Sequence, residues 1–222
     1  MTVSSARTLR VVTFQALGPD SAVDAALRSQ LVPRLLGERS VRNAWQGRRG
    51  GADGNHVLVS TWADGPVDGP FEPPDIAFLR EALAGLGGVE LAAVEQLEIA
   101  VHAQFQRPEP PRVLRVFHGS TRLGELTDYV DDARAGMTAD ARVNDGLVSF
   151  VLAHDRQDAF VSVSTWTGWP AIEAATGGNT RQPFATRQTR RLAGYRIVHL
   201  ELLPEAPVSA RSGGKSRLEA AT

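Results

Sequence analysis

Three sets of residues in this chain have the types and spacing to do chemistry. The first is a Ser-Thr-Trp triplet that occurs twice, in VLVSTWADG at 57–65 and VSVSTWTGW at 161–169. Along an extended strand, alternation puts Ser60 and Trp62 on one side with His56 and Leu58, against Val57, Val59 and Thr61; Ser162, Ser164 and Trp166 share a side in the same way. The valine side suits helices, so the Trp side is expected to face a sheet-to-sheet space or a cavity in it. Trp166 and Trp62, with Ser164 beside them, could stack on an aromatic ligand, and the same rings could equally anchor two packed sheets. The second set is His102 and His199, which are expected to occupy matching Val-His positions of two strands with Glu98 and Glu201 on the same faces. A His near a carboxylate can act as a general base; polar residues on that strand can also simply line an interface. His118, at the end of another strand, is a further candidate base, expected to point into the same space as Trp166. The third set is basic. On a helix starting at Pro183, Arg187, Arg190 and Arg191 share one side, either as an anion contact or as a solvated face.

Other chemistries lack their residues. There is no cysteine, which removes disulfides, thiolate metal sites and Cys nucleophiles. The five histidines are scattered, with no metal-ligand spacing and nothing like H-E-x-x-H. GRRGG and TGGNT do not stand between a strand and a helix as a phosphate loop must, and no G-x-S-x-G is present, so no cofactor is expected. A formal net charge of −1 gives no electrostatic reason to expect a nucleic-acid partner. The start of the chain carries no apolar leader and no stretch is long and apolar enough to span a bilayer, so no membrane partner and a cytoplasmic location are expected.

The elements that must position these residues also come twice. Leu9 to Ala16 reads as a strand stopped at Gly18-Pro19; Ser21-x-x-Asp24 caps a helix whose apolar residues run to Leu35, with Pro33 as a kink or restart. Residues 45–49 and 57–62 form a hairpin, 76–86 a second helix, and 97–103 a fourth strand with alternating faces. After the proline-rich linker 106–111 the pattern restarts: Leu114-Arg-Val-Phe answers Leu9-Arg-Val-Val. Leu123, Leu126, Val130, Ala133 and Met137 then step along a helix. A hairpin of 147–154 and 160–166, short helical stretches at 169–175 and 183–192, and a strand at 195–203 complete the unit. From Pro204 the composition is that of a disordered tail. The expectation is an α+β fold of two tandem β-α-β-β-α-β, ferredoxin-like units, 8–105 and 112–203, packed sheet to sheet.

This doubled unit, with Ser-Thr-Trp ending its third strand, resembles the dimeric α+β barrel superfamily and, within it, the antibiotic biosynthesis monooxygenase group. The resemblance implies cofactor-free oxidation of a hydrophobic, phenolic small molecule, with Trp62 and Trp166 carried over and a histidine making the phenolate. It also implies a monomer, because one chain supplies the contact that single-domain relatives obtain by dimerising. A non-catalytic ligand-binding or interaction protein of the same fold is the competing reading. The haem-degrading branch pairs the Trp with an Asn on strand one and a His in the second helix. Neither 9–17 nor 112–120 holds an Asn and neither 66–88 nor 169–192 a His, which argues against that activity.

Overall fold

The computed structural model describes residues 6–16, 23–25, 27–37, 40–49, 55–63, 89–155, 157–184 and 187–202. The described residues form eight strands: β1 (Thr8–Ala16), β2 (Val41–Arg49), β3 (Asn55–Trp62), β4 (Val89–Gln104), β5 (Val113–Thr121), β6 (Leu147–His154), β7 (Ala159–Trp166) and β8 (Leu192–Leu202). The helices are α1 (Val32–Gly37), α2 (Leu126–Val143) and α3 (Trp169–Ala175), with a π-helical turn at Leu27–Leu31 before α1 and a 3-10 turn at Arg187–Arg191. Pro33 is the second residue of α1, where its missing N–H costs nothing, and the helix restarts there after the wider turn. The helix expected at 76–86 and the tail from 204 lie outside the described residues.

All strand pairs are antiparallel, and the sheet closes on itself in the order β1-β3-β2-β8-β5-β7-β6-β4. Strands β1–β4 (the N-terminal half) follow the order β4-β1-β3-β2, and β5–β8 (the C-terminal half) repeat it as β8-β5-β7-β6. The halves join where Gly47, Arg48 and Arg49 pair with Leu202, Glu201 and Leu200, and where β4 pairs with β6 from Glu98↔His154 to Gln104↔Ser149. The fourth strand of a lone unit would be an edge. Here β4 is a seam, and closure removes the unpaired edges.

The two faces of the sheet are reversed from the sequence expectation. Val57, Val59, Val161 and Val163 point into the barrel with Leu9, Val11, Leu97, Leu114, Val116 and Leu200. Trp62 and Trp166 point outward, Trp62 beneath the π turn and α1 with Leu27, Leu31 and Leu35, and Trp166 beneath α3 with Ile172. An eight-strand barrel is just wide enough for its own side chains to fill, and here branched aliphatics do so, with Trp45 packed against them. α2 lays Tyr129, Val130 and Ala133 on Phe117, Leu152 and Phe160 of the outer face.

Polar groups close both barrel ends. At one end Asn43 Nδ2 donates to Thr61 Oγ1 (3.2 Å), Gln104 Nε2 donates to Asn43 Oδ1 (3.0 Å), and the Ser149 and Thr165 hydroxyls bond at 2.6 Å. At the other, His118 Nε2 lies 3.0 Å from Glu95 Oε1, across the barrel from β5 to β4.

Candidate functional site

Strand pairing supplies an alignment of the two halves. Leu9 faces Thr61 and Leu97, and Leu114 faces Thr165 and Leu200. One residue along, Arg10 lies between Ser60 and Gln96 on the outer face, and Arg115 lies between Ser164 and His199. The residue matching His199 is therefore Gln96. His102, expected to match it, lies beyond a register shift between Ile99 and Val101 and faces the barrel opposite Val151. It is 8% exposed, neither ring nitrogen has a hydrogen-bond partner, and burial lowers its pKa.

In both halves the indole N–H donates to the serine two residues earlier at 2.8 Å, Trp62 to Ser60 and Trp166 to Ser164. The arginines then diverge. The Arg10 guanidinium stacks 4.1 Å from the Trp62 ring centre and its Nε donates to Gln96 Oε1 at 3.2 Å. Arg115 instead lies 4.4 Å from the Phe184 ring centre and 5.6 Å from that of Phe117, and its Nη2 donates to the Gln182 carbonyl at 2.8 Å. Its Nε is buried without a partner, although the residue is only 3% exposed. Among the described residues no carboxylate pairs with it. Burial draws this guanidinium down to about 10, still cationic at neutral pH, against an opposing contribution from Tyr129.

His199 stands beside it, its ring 5.2 Å from that of Trp169, with Nε2 buried and unpartnered. Burial first, and the Arg115 charge second, push its pKa down to about 4, so the imidazole is neutral at neutral pH. Tyr129 is raised out of the physiological range by burial, partly offset by Arg115, and remains a phenol. The C-terminal half thus places a buried cation, a neutral imidazole and several aromatic rings on one helix-covered face.

The other expected site residues are distributed differently. His118 is on the barrel-facing side of β5, opposite to Trp166, because it shares the alternation of Leu114 and Val116; it pairs with Glu95 rather than with anything near the tryptophan. Arg191 is held by α2, with Nε 3.0 Å from Asp132 Oδ2 and Nη1 2.9 Å from Asp128 Oδ2 and 3.6 Å from Glu125 Oε2. That makes it a tie between the 3-10 turn and the helix, with its donors committed to those carboxylates. Arg187 begins the 3-10 turn and its side chain is not among those described, while Arg190 is exposed. Trp166 is fully buried, tilted against Phe184 at 5.6 Å, and Trp62 is 4% exposed. Arg115 and Tyr129 were missed as site residues. The signal for Arg115 was available: an arginine in the middle of each Leu-Arg-Val strand, among apolar neighbours, must find a reason to be buried.

Neither a family model nor a curated protein matches the sequence. Solved structures do. A candidate monooxygenase from Fusobacterium nucleatum superposes with a TM-score of 0.64 at 12% identity, covering 90% of this chain and 93% of that one. One from Lactobacillus acidophilus gives 0.61 at 6% identity, covering 89% and 94%. An anthrone oxidase-like protein gives 0.55 at 12%, covering 91% and 94%. Such identities speak for the fold alone: the chain has an α+β, ferredoxin-like fold shared with these structures.

Proposed function

We propose that the protein binds a hydroxylated aromatic small molecule on the helix-covered face of the C-terminal half and oxidises it with molecular oxygen. The observation that carries this reading is the pair of unpartnered buried polar atoms, Arg115 Nε and His199 Nε2, set among Trp169, Phe117 and Phe184. Buried polar groups in folded proteins are ordinarily satisfied, so two orphans on adjacent strands within an aromatic surround point to a ligand with polar substituents on a planar ring. The anthrone oxidase-like neighbour makes an activated ring methylene a reasonable reacting group. The balanced reaction turns that methylene and one O2 into a carbonyl and one water, with the ring's electron-rich anion as the reductant. The chain's residues supply placement, exclusion of bulk water and a neutral imidazole to accept the hydrogen bond of a ring hydroxyl. No protein-bound metal or flavin enters the proposal. We further read 8–105 and 112–203 as duplicates of one unit, joined so that a single chain completes the barrel and works as a monomer.

The test is oxygen uptake with a hydroxyanthrone in the presence of a chelator. One quinone formed per O2 consumed, with loss of activity in His199→Ala, supports the reading; no turnover above the spontaneous rate by a folded protein refutes the oxidation. One observation favours the non-catalytic alternative: an imidazole titrating near 4 is a weak base, suited to accepting a hydrogen bond more than a proton. Tight binding of the hydroxyanthrone without oxygen uptake would select that alternative. A Soret band on adding haem would replace both, and a constant dimer mass by light scattering would overturn the monomer.

A further inference from the structure

Each half shows how the same row of three residues can be completed. In the N-terminal half the buried arginine has an oxygen acceptor on its Nε, supplied by the chain itself as Gln96 Oε1 at 3.2 Å. The matched position in the C-terminal half is His199, and Arg115 Nε has no acceptor at all. No carboxylate among the described residues offsets the charge, His199 is neutral, and the nearby Tyr129 keeps its proton. The remaining contacts of the guanidinium are one neutral carbonyl and the rings of Phe184 and Phe117. A buried cation left in this state is costly, and a ring-bound oxyanion would relieve the cost with a charge-assisted hydrogen bond.

We infer that the site takes its phenolic ligand as the phenolate, whose oxygen accepts from Arg115 Nε in the place that Gln96 Oε1 fills for Arg10. This rests on the aromatic-ligand reading above and gives it a substrate class. The anion is made by shifting the ligand's own ionisation with a fixed cation, the phenol's proton passing to solvent water, so no strong protein base is required. Gln96 fills the corresponding place in the N-terminal half, where Arg10 also lies on Trp62, so the Arg10 Nε is already taken there.

The probe is 4-nitrophenol, whose yellow phenolate reports its own protonation, with 4-nitroanisole as the uncharged counterpart. Binding should lower the apparent pKa of 4-nitrophenol by about one unit or more, which is about a tenfold preference for the anion. 4-Nitroanisole should bind at least about tenfold more weakly. Arg115→Met should abolish both effects. Because that variant empties a buried position and can fail to fold, His199→Gln serves beside it: it gives Arg115 the same internal acceptor that Arg10 has, and should lose the phenolate preference while remaining folded. A bound 4-nitrophenol whose pKa is unchanged or raised, equal affinity for the two probes, no measurable binding of 4-nitrophenol, or a preference that survives in folded Arg115→Met or His199→Gln would overturn the inference. The probe has no oxidisable methylene, so the outcome is independent of turnover. A lowered pKa without oxygen uptake leaves the anion site standing and removes the oxidation; uptake without a pKa shift does the reverse.

Discussion

Replacing His199 by Gln should change the acid stability of the protein in a calculable direction. The imidazole has its ordinary pKa of 6.5 in the unfolded chain, and burial, with the Arg115 charge, pushes it down to about 4 in the folded one, so between these values the unfolded state holds more protons. Stability therefore rises with pH across this window: the contribution is complete above about pH 6.5 and is lost as pH falls toward about 4. The full displacement would correspond to about 3 kcal/mol at about 1.4 kcal/mol per pH unit. His199 is only partly buried, so about 1–2 kcal/mol is the expected size once solvent screening is allowed for. Urea denaturation of wild type and His199→Gln at about pH 7, 5.5 and 4 measures it. Gln does not titrate, so the variant should lose less stability on acidification, by that amount. His102 is also depressed by burial and leaves a residual slope, which His102→Gln identifies. Parallel stability curves for wild type and His199→Gln, or an NMR titration placing His199 near 6.5, would refute the electrostatic picture of the site.

The tryptophans, the arginine tie and one glycine give further tests. Trp62→Ala and Trp166→Ala should each cost about 3–5 kcal/mol by denaturation, since both rings are buried with satisfied N–H groups. At temperatures where both variants are folded, Trp166→Ala should weaken hydroxyanthrone binding and Trp62→Ala should not; equal losses would remove the assignment to the C-terminal half. Arg191→Ala should lower the melting temperature by releasing the 3-10 turn from Glu125, Asp128 and Asp132, and the gap from wild type should narrow in about 1 M salt. A Cβ at Gly119 would run into the Phe160 ring and meet Phe117 at 2.8 Å, so Gly119→Ala should destabilise by about 1–3 kcal/mol; an unchanged melting curve would contradict that packing.

The strand order and the position of Ser-Thr-Trp were legible because they rest on local signals, alternation and turn residues, that survive in any environment. The faces were not. Both sides of β3 and β7 are buried, one in the barrel and one under helices, so alternating Val and Trp gives two apolar rows with no water-facing row to fix the sense. That single inversion also misplaced His118, which follows the aliphatic row. The pairing of His102 with His199 rested on a repeated Val-His dipeptide. The actual equivalence is set by Leu97 and Leu200, which share the register opposite Leu9 and Leu114, so His199 matches Gln96; His102 lies further along β4, past a register shift, on the barrel side. Arg187, Arg190 and Arg191 looked like one helical face, but a 3-10 turn spaces them differently and α2 brings carboxylates that no local window could reveal. The buried Arg115 owes its role to β8 and to Phe184, both distant in sequence.

In the proposed complex an aromatic ligand sits on the outer face of the C-terminal half with its oxygen at Arg115. An anaerobic crystal structure with a hydroxyanthrone bound measures this most directly. The ring should lie against Phe184, Phe117 or Trp169, with one ring oxygen within hydrogen-bonding distance of Arg115 Nε, a second polar group facing His199 Nε2, and the Arg10–Gln96 bond intact in the other half. Ligand seated in the N-terminal half or inside the barrel, or an Arg115 guanidinium untouched in a fully occupied complex, would contradict it.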